Sequence, residues 1–388
     1  MEKDTMEVAP LQQILGNLAS RYPSFLLRLG RLETRWLKDL LAAEEIDRPI
    51  YVTGLARSGT TIILELLASH AQLASHKYRD FPFVHVPYWW NWFVEHSSST
   101  TEQRTERAHK DRIFVSPDSP EAMEEILWMA FFPGSHDPSV SQVLGARDSH
   151  PEFETFYRDS IRKLLMARKA SRYLSKGNYN ISRLGYLGRL FPDARFVVPV
   201  REPTTHIASL MKQHRLFCEA EKRDPKVLRH MKSVGHFEFG LNLTPINFSD
   251  PDTVRRIQTL WNTGEEVRGW AAYWASAYSF VADLLENDPS LASRVLIVDY
   301  TDFCTDPAAV LRRVYSHCEL DLESGAIMEQ AARISPPTYY RVEFGPREIA
   351  SIREETEKTV SRIQNLRDEP VPDVNAGDFA PAKFARPI

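Results

Sequence analysis

Residues 54–61 read GLARSGTT. Gly54 and Gly59 enclose Arg57 and Ser58, and Thr60 and Thr61 follow at once. The stretch ahead, PIYVTG at 49–54, is a short apolar strand pattern. Behind it, Ile62, Ile63, Leu66 and Leu67 recur at helical spacing, with Glu65 off that face. A loop that leads from a buried strand into a packed helix aims its N–H groups and the positive end of the helix dipole at one point. Three hydroxyls add donors there, and Arg57 adds a fixed charge. The chemistry this points to is the binding of an anion such as phosphate.

The loop departs from the nucleotide triphosphate pattern G-x-x-x-x-G-K-[ST] at one place. Thr60 stands where the lysine belongs, and the basic residue has moved upstream to Arg57. That lysine normally reaches the β/γ-phosphates, so γ-phosphoryl transfer is handicapped here. One feature still favours a small-molecule kinase using ATP and magnesium: VLIVD ends in Asp299, like a magnesium-holding strand. A non-catalytic nucleotide-binding module is the third reading. A second constellation lies in FPDARFVVPVREPTTHIASLMKQH, residues 191–214. A strand ends at Arg201, Pro203 breaks the chain and a helix follows. Thr205, Ser209 and Lys212 share one face of it, away from Ile207, Leu210, Met211 and His214. Arg201 and Ser209 can therefore address a second anion.

The elements that must position these residues are legible in outline. PIYVTG, RFVVPV at 195–200 and RVLIVD at 294–299 read as buried parallel strands, each followed by a helical pattern. Strand–helix alternation predicts a three-layer α/β/α domain with a central parallel sheet, like that of P-loop NTPases. Residues 1–47 read as N-terminal helices and 48–345 as the α/β core. Helical insertions at about 88–170 and 216–292 are expected to cover the active site. Residues 346–388 read as a C-terminal helix and an extended, proline-rich tail, and 1–388 as a single domain. The 388 residues carry a net charge of −4, which gives no support to a nucleic-acid partner. Three cysteines form no metal-ligand spacing and fit a reducing, cytoplasmic setting. No stretch is long and apolar enough to span a bilayer. A homodimer stays open.

Two anion sites beside one parallel sheet suit 3′-phosphoadenosine 5′-phosphosulfate (PAPS), and the chain resembles the PAPS-dependent sulfotransferases. GLARSGTT is similar to their 5′-phosphosulfate loop, and VREPTTHIASL to their 3′-phosphate motif, an arginine followed eight positions later by a serine. LIVDYTDFCTDP resembles a later family block, with Tyr300 and Asp302 at its tyrosine and acidic positions. The resemblance covers about 48–345, in the style of the R-S-G-T-T branch with FPDARF. It implies sulfuryl transfer from PAPS to a hydroxyl or amine of a small or medium organic acceptor. Adenosine 3′,5′-bisphosphate would be the other product, and no metal would be needed. It also implies that Arg57, Ser58, Gly59, Thr60 and Thr61 hold the 5′ end and that Arg201 and Ser209 hold the 3′-phosphate. Tyr339 and Arg341 in SPPTYYR would close over the donor.

By the same resemblance, Lys176 in RYLSKGNYN stands near the leaving oxygen and Arg57 is catalytic as well as binding. Some branches place a histidine base two residues after that lysine; here Asn178 cannot act as a base. The R-S-G-T-T branch uses a carboxylate shortly after the loop helix, which points to Asp80 in SHKYRDFPFVH. His76 and His85, also expected to touch the acceptor, and Glu124 are the alternatives. The aromatic run YWWNWF, with Trp89, Trp90 and Trp92, reads either as helix packing or as a wall for an apolar or sugar-ring acceptor.

Overall fold

The computed structural model of the protein describes residues 22–97, 105–106, 114–334 and 343–368. Five parallel strands form one sheet: β1 (Ile50–Val52), β2 (Leu73–Ala74), β3 (Arg172–Lys176), β4 (Arg195–Val200) and β5 (Val295–Asp299). Their spatial order is β2-β3-β1-β4-β5. The chain leaves β1 toward one side of the sheet and later returns to fill the other, so β1 lies at the point where the order reverses. Ligands of open parallel sheets bind outside the carboxyl ends of the strands at such a point. The register is fixed by pairs such as Val52↔Lys176 and Val52↔Val197.

Alternation along the strands sends side chains to two cores. Ile50, Val52, Leu174, Val197 and Val298 face one way, onto the helix that follows β1 (α2 below) and a later helix at Pro307–His317. Tyr51, Tyr173, Phe196 and Val198 face the other, onto a thicker helical layer. The helices used below are α1 (Pro23–Trp36), α2 (Thr60–Ala68), α3 (Pro87–Ser97), α4 (Pro151–Arg168), α5 (Pro203–Arg223), α6 (Glu266–Asn287) and α7 (Pro346–Asp368). The stretches at 88–170 and 216–292 are therefore more than covering insertions. They supply α4 and α6, whose Phe153, Tyr157, Leu164, Trp270, Trp274 and Tyr278 build most of the second core. The strand at Arg172–Lys176 lies inside the sheet, and its polar residues are partnered there: Arg172 donates to the Arg48 and Cys318 carbonyls, and Ser175 to Glu124. Of the terminal readings, residues 1–21 and 369–388 lie outside the described residues. Among those described, no helix is long and apolar enough to cross a membrane.

A buried ion pair ties three of these helices together. Lys163 Nζ of α4 lies 3.0 Å from Glu33 Oε2 of α1, and both side chains are fully buried. Lys163 also donates to the carbonyl of Gly30 at 3.1 Å, and Glu33 accepts from the backbone N–H of Trp89, in α3, at 2.6 Å. Removing one partner strands the other charge without water. Lys163→Met should lower the unfolding free energy in urea by about 3–5 kcal/mol. The double variant Glu33→Gln/Lys163→Met, which keeps an acceptor for Trp89 but no buried charge, should recover most of that loss.

Candidate active site

The loop between β1 and α2 takes a path that few residues tolerate. Arg57 has φ +71° and Gly59 has φ +111°. A Cβ on Gly59 would lie 2.8 Å from the ring of Tyr300, so position 59 demands glycine twice over, by dihedral and by space. Gly59 caps α2 with no side-chain hydrogen bond and no acidic residue in the first turn. By contrast α5, Pro251–Asn262 and Pro307–His317 are capped by Glu202, Asp250 and Asp306. The N–H groups at the start of α2 thus keep their capacity for an anion.

The two motifs that lie far apart in sequence meet here. Arg57 Nε donates to Ser209 Oγ at 3.3 Å. Arg201 Nη1 reaches the Arg57 carbonyl at 3.5 Å, and Arg201 Nε donates to Thr205 Oγ1 at 3.3 Å. The Arg201 guanidinium also lies over the Tyr300 ring, 4.9 Å from its centroid. Arg201 and Ser209 are both buried, so Ser209 is no solvated helix residue. Thr205 is half-buried and Lys212 points to solvent. Two arginines that converge on hydroxyls and helix N-termini can hold an anion with two or more phosphate-like groups.

The far wall of the loop comes from the end of β3. Gly177 N donates to the Val52 carbonyl at 3.1 Å, and Thr53 Oγ1 donates to the Gly177 carbonyl at 2.7 Å. Lys176 ends the strand, and its Nζ lies 3.8 Å from Glu121 Oε1. Thr60 Oγ1 donates to Asn178 Oδ1 at 3.4 Å, which turns the Asn178 amide so that Nδ2 donates to Glu238 Oε1 at 3.0 Å. Sequence reading singled out Lys176 and Asn178 and passed over Glu121 and Glu238. For Glu238 a signal existed in GHFEFG, a glycine-bracketed aromatic run at 235–240.

Asp80, the residue expected to act as base, is held by partners of the fold. It is 1% exposed and accepts from Arg168 Nη2 at 2.7 Å and from the Lys77 N–H at 2.9 Å, with His76 Nδ1 at 3.4 Å. Burial pushes its pKa up, but His76 and Arg168 outweigh that and bring it down to about 2. Its carboxylate fastens the turn at Tyr78–Asp80 to α4. His76, held against it, turns its ring edge to Tyr173 in the core. Glu124 is equally committed: it accepts from Trp128 Nε1 at 2.9 Å and Tyr173 OH at 3.3 Å, and from the hydroxyls of Tyr157 and Ser175. His85 sits beside Gly30 and Phe156 under α1, away from the loop. The aromatic run forms α3, where helix packing prevails over a pocket wall. Trp89 leans on Trp36, Trp90 Nε1 donates to the Arg79 carbonyl at 2.7 Å, and Trp92 is 58% exposed, stacked on His96. Tyr339 and Arg341 lie outside the described residues. Asp299, the kinase-like residue, caps the helix at Tyr300–Thr305 by accepting from the N–H groups of Thr301 and Asp302.

One positioning residue escaped sequence reading altogether. His206 Nδ1 accepts from the Trp274 indole N–H at 3.2 Å, which leaves Nε2–H to donate to the Ala56 carbonyl at 2.8 Å. Full burial drives its pKa down to about 3. Burial likewise holds His85, His230 and His317 at about 4. Each takes up a proton near 6.5 when unfolded and refuses it when folded, so stability is present above about 6.5 and is lost as pH falls. Urea denaturation between pH 7.5 and 5 should show this decline. The His206→Gln variant should be less stable at pH 7.5 but show a slope shallower by up to about 1.4 kcal/mol per pH unit.

Residues 49–236 match the family described as the sulfotransferase family. No curated protein matches the chain. Among solved structures, sulfotransferase STF1 from Mycobacterium tuberculosis is similar at 15% identity, covering 93% of this chain and 88% of that one, with a TM-score of 0.49. Sulfotransferase STF9 from Mycobacterium avium is similar at 15% identity over 85% of this chain and 80% of its own, with a TM-score of 0.46. Mouse sulfotransferase SULT7A1, complexed with PAP, gives 12% identity over 85% and 91%, with a TM-score of 0.37. The matched stretch runs from β1 through β4 and α5, and so takes in the loop, Lys176, Arg201 and Ser209. The stretch that is similar to the sulfotransferase family, residues 49–236, is the one that builds this site.

Proposed function

We propose that the protein transfers a sulfuryl group from PAPS to a hydroxyl or amine of a small or medium organic acceptor, with 1–388 acting as a single domain. The observation that carries this reading is the 3.3 Å contact between Arg57 and Ser209. It joins the loop suited to a 5′-phosphosulfate to the helix suited to a 3′-phosphate, a spacing of two anions that ATP does not need. Gly59, Ser58, Thr60 and Thr61 would cradle the 5′ end with Arg57. Arg201 and Ser209 would take the 3′-phosphate.

The donor supplies an activated sulfuryl group on a phosphate leaving group. The chain's own tasks are positioning and charge stabilisation, as in the related loose, in-line phosphoryl transfers. Lys176, at the end of β3 and beside the loop, is the cation for charge that builds on the leaving oxygen. Its value rises in the transition state, so it acts on turnover more than on binding.

Calorimetry on the full chain tests the donor. Adenosine 3′,5′-bisphosphate should bind far more tightly than ADP or ATP with magnesium; equal affinity for all three would remove the reading. Arg201→Ala should weaken the bisphosphate by about 1.5–3 kcal/mol while leaving adenosine 5′-phosphate little changed. Lys176→Ala should retain bisphosphate affinity and slow PAPS turnover by about 10²–10³. Unchanged turnover would return Lys176 to a structural partner of Glu121.

A further inference from the structure

We infer that Glu238 is the general base that takes the acceptor's proton; the inference rests on the sulfuryl-transfer reading. The carboxylates around the loop can be compared one by one. Asp80 is locked to Arg168, and Glu124 is filled by three hydroxyls and an indole N–H. Glu125 is gripped by both Arg183 nitrogens at 2.7 and 2.8 Å, with His136 at 2.9 Å. Burial raises its pKa, but Arg183 and His136 bring it down to about 2. Glu121 is paired with Lys176, and Oε1 accepts from the Ala122 N–H at 2.6 Å. Glu238 differs in its partners, an amide and an imidazole. Oε1 accepts from Asn178 Nδ2 at 3.0 Å. Oε2 is buried without a hydrogen-bond partner among the described residues, 3.6 Å from His236 Nδ1. A carboxylate oxygen that lacks a donor is suited to receive one from an incoming O–H.

Its position is as telling as its partners. Glu238 is one amide away from Thr60, the first residue of the loop helix, through the chain Thr60–Asn178–Glu238. Asn178 occupies a place where it cannot act as a base, and its side chain instead hands that place a carboxylate. The segment that carries Glu238 is held rigidly. Gly235 and Gly240 bracket it at φ +77° and +84°. A Cβ at Gly235 would lie 2.6 Å from Glu125, and one at Gly240 would lie 2.4 Å from the Glu221 carboxylate. The Phe237 N–H donates to Tyr179 OH at 2.9 Å, the Phe237 ring stacks on His136, and the Leu241 N–H donates to Glu221 at 2.6 Å. A base on such a loop needs little reorganisation to meet its proton.

In the step itself, Glu238 takes the acceptor's proton as the acceptor oxygen (or nitrogen) bonds to sulfur. The bond between sulfur and the 5′-phosphate oxygen breaks, and its electron pair stays on that oxygen, beside Lys176. The products are the sulfated acceptor, adenosine 3′,5′-bisphosphate and a protonated Glu238, which returns its proton to solvent.

The test uses the full chain, with PAPS and a panel of a phenol, an aliphatic alcohol and an amino sugar. Release of adenosine 3′,5′-bisphosphate is followed, and bisphosphate affinity and thermal unfolding are measured alongside. Glu238→Gln should keep its melting temperature and bisphosphate affinity and lose about 10²–10⁴ in turnover. Glu238→Ala should regain turnover when sodium formate is added, a response that a purely structural carboxylate would not give. Near-native turnover in Glu238→Gln, with turnover lost in Asp80→Asn or His76→Asn, overturns the inference and leaves the donor reading standing. So does a Glu238→Ala variant that formate does not revive. A wild-type chain that fails to bind the bisphosphate overturns the donor reading, and the base assignment with it.

Discussion

The imidazole of His206 donates to the carbonyl of Ala56, and that hydrogen bond holds the backbone on which the rest of the site depends. Ala56 precedes Arg57, whose left-handed conformation is uncommon for a residue with a side chain. The fixed Ala56 carbonyl, together with the Ser58 N–H bond to Leu55 and the contact of Arg201 with the Arg57 carbonyl, keeps Arg57 turned toward Ser209. The tautomer that makes this donation is set in turn by the indole of Trp274, on α6. A short loop is therefore pinned from beneath by two helices that lie far along the chain. The neutral imidazole is also why burial here is tolerable: both ring nitrogens are used, and no charge is taken out of water.

From that pinned loop the site grows outward along the sheet. The parallel strands end at one edge, so β1 delivers the glycine loop, β3 delivers Lys176 and Asn178, and β4 delivers Arg201. Thr53 ties β1 to both neighbours: its N–H donates to the Val197 carbonyl of β4, and its Oγ1 donates to the Gly177 carbonyl just past β3. The cations come from the protein, and hydroxyls, a backbone carbonyl and the Glu121 carboxylate beside Lys176 hold them. Arg57 meets Ser209, and Arg201 meets Thr205 and the Tyr300 face.

Carboxylates near this edge divide by their partners. Those bound to arginine or surrounded by hydroxyls serve the fold, and Asp80 and Glu124 are among them. Sequence position alone does not separate these uses, because a partner such as Arg168 lies 88 residues away. The same holds for the aromatic run of α3. Its composition fits a ligand wall as well as a packed helix, and only the neighbours, Trp36, Glu33 and the Arg79 carbonyl, decide for packing.

The chain by itself determined the strand–loop–helix around Gly54 and Gly59, the three most apolar strands, and the motif from Arg201 to Ser209. These are short-range facts. A glycine requirement, a β-branched run or a helical face is written within a few residues, because backbone dihedrals and side-chain periodicity are local. The short strand β2 and the polar strand β3 carry weaker patterns, and their pairing with the sheet supplies what their sequences lack. Tertiary structure alone decided that α4 and α6 are core layers, that Asp80 is spoken for, that His206 grips the loop and that Glu238 stands against Asn178. The physical reason is common to all four. Burial and hydrogen-bond partnership are set by which residues the fold brings within about 3 Å of one another, and that proximity is not encoded in the spacing along the chain.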